Sequence, residues 1–201
     1  MTANKKIIIS MIIIAAFVVL SFDLFFSGKA EPVNATLLDK MAEISPDYYD
    51  TVVPFNIAPL NFTVREKADK YFVKVSTIND SFNVYCKNSN VIIPIKKWKS
   101  LLAANKGGEV KFEVFTLTDG RWVQYQAITN KISEEPIDNY LSYRRIPPVR
   151  IYIDTRMGIY QRDVTNYNEK IQLSNDSYYG GCLNCHSFAG GDSGVMSIGI
   201  R

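Results

Sequence analysis

Residues 110–129 read VKFEVFTLTDGRWVQYQAIT. Val110, Phe112 and Val114 fall on one face of an extended chain, with Lys111 and Glu113 on the other. That alternation marks a half-buried strand. Asp119-Gly120 follows, a dipeptide suited to the two-residue hairpin turn, which needs positive φ at both central positions. Residues 122–129 then form the return strand. Working outward, residues 61–65, 71–76, 82–86 and 91–95 are short, rich in β-branched or aromatic side chains, and punctuated by turn residues such as Asn79-Asp80. Residues 96–104 have helical character and end at Asn105 and Gly107-Gly108. The spacing predicts a mainly β fold, an immunoglobulin-like or fibronectin-like β-sandwich over residues 60–133. Phe112, Trp122 and Tyr125 are read as core, without a ligand.

The flanks read differently. Residues 31–59 contain Pro32, Pro46, Pro54 and Pro59. They predict a linker with one short helix over residues 35–43. Residues 134–201 predict an irregular C-terminal segment. Glu134-Glu135-Pro136 opens a short helix over residues 137–144, Pro147-Pro148 breaks it, and residues 150–154 alternate as a strand. Beyond them, Met157-Gly158, Asn166, Asn168 and Asn175-Asp176 are turn-rich.

Residues 7–22 read IIISMIIIAAFVVLSF, preceded by Lys5 and Lys6. A positively charged start and a following apolar run predict an export signal. Residues 1–30 are therefore a signal anchor or signal peptide. Gly28-Lys29-Ala30 offers small residues for cleavage after Ala30, whereas Asp23, Phe25 and Phe26 argue against it. The reading favours an uncleaved anchor at residues 7–26 in a bacterial inner membrane, with residues 31–201 in the periplasm. The net charge is +3, of which residues 1–30 carry +2 through Lys5, Lys6, Lys29 and Asp23. A nearly neutral body argues against a nucleic-acid binder, which needs a concentrated basic face to displace counterions.

Residues 180–188 read GGCLNCHSF, so Cys182, Cys185 and His186 form C-x-x-C-H. In c-type haem attachment, two thiols spaced in this way reach the two vinyl edges of the porphyrin. The adjacent imidazole then coordinates the iron. The chain has one His in 201 residues, and it falls directly after the C-x-x-C. The export signal agrees independently, because this attachment occurs outside the cytoplasm. Three other readings stay open. A Cys182–Cys185 disulfide suits an oxidising compartment but leaves His186 unexplained. A thioredoxin-like oxidoreductase needs a βαβ context, which does not precede the motif. A zinc site recruiting Cys86 would ask the neighbours Cys185 and His186 to share one tetrahedral ion; Cys86 reads instead as a small buried hydrophobe.

With His186 the sole His, bis-His ligation within one chain is excluded. The sixth iron ligand is Met, Lys, Tyr, the amino terminus, water or nothing. Met196 is the first Met candidate and Met157 the second, each weighed against simple core packing. Tyr160, Tyr178, Tyr179 and Phe188 are candidate pocket walls, and Arg156 or Arg162 candidate partners for haem propionates. Gly180-Gly181 and Gly190-Gly191 would let the backbone approach a ring closely. Asp154, Asp163 and Asp192 are scattered singly, so the sequence shows no catalytic constellation.

Four stretches carry a resemblance. They are Asn56-Ile57-Ala58-Pro59-Leu60-Asn61-Phe62, Glu135-Pro136-Ile137-Asp138-Asn139-Tyr140-Leu141, Met157-Gly158-Ile159-Tyr160-Gln161-Arg162, and Cys182-Leu183-Asn184-Cys185-His186-Ser187-Phe188. Residues 56–200 resemble a family of exported bacterial envelope proteins in which such a region precedes a TolB-like β-propeller. The resemblance implies haem c attached at Cys182 and Cys185, with His186 as iron ligand. The sequence stops at Arg201, where the propeller would begin, so a form without the propeller is expected. The expected function is electron transfer to a redox partner protein in the cell envelope. The alternative is an envelope binding or scaffolding module in which the Cys182–Cys185 element is structural.

Overall fold

The computed structural model describes residues 31–146, 157–179, 183–191 and 195–200. The expected anchor, the expected strand at 150–154, and Cys182, Arg156, Gly180 and Gly181 lie outside the described residues. So do Asp154 and Asp192. The chain divides into two compact units. One is Pro59–Glu134 with the chain up to Phe55; the other is Asn56–Ala58 with Glu135–Arg201. The protein is mainly β.

The first unit is built on strand β8 (Glu109–Thr118). The hairpin expected at Asp119-Gly120 is present: the two residues have φ of 51° and 75°, and β9 (Arg121–Gln126) returns with Leu117 opposite Trp122. The return strand breaks at Ala127 and resumes as β10 (Ile128–Ile132), which pairs with the first half of β8. On the other side of β8 lie β5 (Lys70–Ser76) and then β6 (Ser81–Cys86), both antiparallel. One face of this sheet carries Tyr71, Val73, Val75, Val84, Val110, Phe112, Val114 and Ile128, all buried. That face is the core, and each such side chain stabilises by roughly 1.5–3 kcal/mol on burial.

A smaller antiparallel sheet comprises β2 (Ile44–Ser45), β4 (Phe62–Val64) and β7 (Asn90–Val91). Helix α1 (Ile95–Ala104) follows it. Pro94 begins this helix, its carbonyl accepting the Trp98 N–H at 3.0 Å. The apolar stripe Trp98, Leu101, Leu102 is buried. Phe112 joins the layers: Phe62 meets it edge-on at 5.7 Å, and Trp98 stacks on it at 6.1 Å. The two sheets are consistent with a β-sandwich, with a helix beside the three very short strands of the second layer. The reason is local: Trp-x-x-Leu-Leu at helical spacing presents more apolar surface than strands of two or three residues.

Apart from residues 56–58, the residues read as a linker belong to this unit. Residues 35–43 were expected as a helix; instead, β1 (Thr36–Met41) pairs parallel with β9, and β3 (Val52–Val53) pairs parallel with β10. The exposed edges of β9 and β10 carry backbone groups that a passing chain satisfies, and this outweighs a weak helical preference. Asn130 secures the β3 edge: its Oδ1 accepts the Thr51 N–H at 2.8 Å and the Thr51 hydroxyl at 3.0 Å.

The second unit contains a three-stranded antiparallel sheet of β11 (Tyr140–Arg145), β12 (Gly158–Asp163) and β13 (Glu169–Ser174). A hairpin of β14 (Leu183–Phe188) and β15 (Met196–Ile200) completes it. The expected helix at 137–144 is thus largely a strand, and the segment expected to be irregular holds two sheets. Leu141, Tyr143 and Arg145 alternate with Tyr140, Ser142 and Arg144, and the aromatic pair Tyr143–Tyr160 forms across the sheet with centroids 6.0 Å apart. Such cross-strand pairs outweigh the helix signals at the segment's ends. Residues 56–58 join this unit through hydrogen bonds. The Asn56 amide brackets Ile137, donating to its carbonyl at 2.8 Å and accepting from its N–H at 3.0 Å. The Ala58 N–H donates to Val164 O at 2.7 Å. Among the described residues, no helix is long and apolar enough to cross a membrane.

Candidate haem-attachment hairpin

The C-x-x-C-H motif leads into β14. Cys185 lies on that strand, and His186 follows it. The register pairs His186 with Ile198 and Phe188 with Met196, after an irregularity between Leu183 and His186. Partners opposite each other in an antiparallel pair, and residues two apart on one strand, share a face. His186, Phe188, Met196 and Ile198 therefore form one face, and all four are half-buried. The intervening pair Ser187–Ser197 is exposed on the other face. The short sequence separates into an apolar side carrying the imidazole and a polar side.

Among the described residues, the His186 imidazole has no hydrogen bond or ion pair. Its ring lies edge-on to Phe188 at 6.3 Å. The imidazole shares its face with Phe188, Met196 and Ile198, and no described residue engages its ring nitrogens. Phe188 and Ile198 supply apolar surface on the same face. The donor set therefore fits a haem bound through one His. Met196 sits diagonally across from His186, two rungs along the ribbon and beyond the Ser187–Ser197 pair. Met157 directly precedes β12 and is half-buried; its carbonyl accepts the Asn175 N–H at 3.0 Å.

Leu183, inside the motif, is fully buried. The Arg144 guanidinium on β11 donates to its carbonyl at 3.0 Å. This bond ties the motif's strand to the three-stranded sheet. Sequence reading missed it, because Arg144 was expected at a helix end, where a basic residue has a ready explanation.

The other expected pocket residues have different surroundings. Tyr160 lies in the three-stranded sheet, with Tyr143 stacked on it and the Arg145 guanidinium 4.3 Å from its ring centroid. Arg145 also pairs with Glu169 at 2.7 Å, and the Tyr143 hydroxyl donates to the other oxygen of that carboxylate. That hydroxyl, with Arg145, holds Glu169 below the usual carboxylate range. Arg162 adds to this field from β12. Tyr179 is fully exposed with φ of 54°, and Tyr178 is partly exposed. Gly190 has φ of +58°, with nothing within 4 Å of a Cβ built there. Asp163 organises a turn, accepting from the Thr165 N–H and hydroxyl and from Asn166. Cys86 is buried in β6, as a hydrophobe would be, and burial pushes its thiol up to about 11. Among the described residues, no three of His, Cys, Asp and Glu gather as a metal site.

No family model matches this chain, and neither the curated proteins nor the solved structures contain a match.

Proposed function

We infer that this chain is an exported, membrane-anchored, mono-haem c-type cytochrome-like protein that transfers electrons to a redox partner in the cell envelope. Residues 7–26 serve as the anchor in a bacterial inner membrane, and residues 31–201 lie in the periplasm. The observation that carries the reading is the half-buried His186 imidazole, placed directly after C-x-x-C on an apolar hairpin face and without a hydrogen bond among the described residues.

Cys182 and Cys185 would each add a thiol across a porphyrin vinyl group. The sulfur bonds to one carbon and the proton goes to the other, so attachment requires no oxidant. His186 would bind the iron, and haem when bound supplies a one-electron couple. Met196 is the first candidate for the sixth ligand and Met157 the second. A thioether ligand would raise the potential. Phe188 and Ile198 would exclude water from the iron's surroundings, which also raises the potential. Arg144 would position the motif strand through its bond to Leu183.

The test is a pyridine haemochrome spectrum of protein made alongside cytochrome c maturation machinery and then denatured. A covalently retained haem with a c-type α-band is the expected result. Absence of retained haem, with Cys182 and Cys185 recovered as a disulfide, would overturn the reading and leave an envelope binding module.

A further inference from the structure

The first unit carries a second feature, on the sheet face opposite its core. Phe72 is 1% exposed although it points away from that core. Phe115 and Tyr85 cover it, their rings edge-on at 5.2 and 5.1 Å. Beside this aromatic floor is a cavity of about 460 Å³. That volume lies within the range of small-ligand sites. Its walls include Pro32, Tyr85, Leu117 and Trp122. Trp122 is half-buried here, unlike Trp98, which is fully buried. The residue was expected in the core; it stands instead at the hairpin end, opposite Leu117 on the outer face.

Lys70 and Lys87 line the same cavity. The register Tyr71–Cys86 brings them to neighbouring positions at the end of the β5–β6 ribbon. Like charges placed together across a ribbon repel. Among the described residues, neither lysine ammonium has an ion pair or hydrogen bond. The next lysine on this face, Lys74, is paired with Glu31 at 3.0 Å. Asp69 also lines the cavity but pairs with neither lysine. One net positive charge thus faces an aromatic cavity.

We propose that this cavity binds a small planar aromatic ring bearing a single negative charge. The ring would lie against Trp122 and Tyr85, and its anionic group would bridge Lys70 and Lys87. The lining is mainly apolar, which disfavours a sugar: most of its hydroxyls would lose water without gaining a partner. This site is independent of haem.

Full-length protein titrated calorimetrically with 2-naphthoate and with the neutral 2-naphthylmethanol tests it. Naphthoate is expected to bind at one site per chain, at least tenfold more tightly than the alcohol. In the K70Q/K87Q double variant, both positions being exposed, that margin disappears while the alcohol still binds. Trp122→Ala weakens both compounds. Equal binding of acid and alcohol, no binding of naphthoate, or a margin that survives in K70Q/K87Q would each overturn the proposal. Tighter binding of galacturonate than of naphthoate would overturn the assignment to an aromatic ring.

Discussion

The two units solve the problem of burying apolar surface in different ways. The first has a core with a single focus, Phe112, contacted from a helix by Trp98 and from a second sheet by Phe62. In the second, the buried apolar side chains among the described residues are Ala58, Ile159 and Leu183. It relies more on hydrogen bonds and on the Tyr143–Tyr160–Arg145–Glu169 cluster at its surface. Three buried apolar side chains among the described residues contribute little through the hydrophobic effect, and a covalently held group is a common supplement to a small core. The motif for such a group lies in this unit and not in the first.

The largest expected effect tests that contrast. Replacing both Cys182 and Cys185 by Ser should abolish covalent haem. Amide exchange in the second unit should then quicken, while the β5–β8 core keeps its protection. Equal loosening of both units would break the comparison. Next is Trp98→Ala, which should destabilise the first unit by about 3–5 kcal/mol in urea unfolding, as for other large-to-small core changes. The haem spectrum of the folded protein should not change.

A smaller loss is expected for Gly158→Ala. A Cβ there would stand 2.5 Å from the Leu173 carbonyl oxygen and 2.9 Å from Ile171 Cδ1. Backbone cannot yield cheaply, so β12 and β13 should part locally, at a cost of roughly 1–3 kcal/mol. Loss of protection confined to residues 158–174 would sharpen the division. Met196→Ala should lower the haem potential and alter the spectrum of the oxidised protein. The same change at Met157 should leave both unaltered; the reverse outcome would move the sixth ligand to Met157, just before β12.

The smallest effect is a pH dependence confined to the first unit. Burial favours the neutral Cys86 thiol, raising it from 9.0 to about 11. The folded state therefore holds its proton where the unfolded chain has lost it. This contribution is fully present below pH 9 and is lost as pH rises towards about 11. Denaturant midpoints measured across that range should fall in the wild type, and should fall less in Cys86→Ala.

Much of this was legible because it is local. Asp119-Gly120 dictates its own turn, Trp98, Leu101 and Leu102 share a helical face through spacing alone, and β5, β6 and β8 alternate in the sequence as they do in the sheet. C-x-x-C-H is likewise a statement about neighbours. The sequence by itself thus determined the hairpin, the helix, the central strands and the chemistry available at His186. Only the tertiary structure decided that residues 36–41 and 140–145 become strands, since unpaired sheet edges and cross-strand aromatic partners outweigh weak helical preferences. It also decided that Trp122 faces a cavity, that Lys70 and Lys87 meet there, and that Met196 shares a face with His186. Each of these depends on the register between strands, and register is set by packing across the sheet rather than by residues adjacent in the chain.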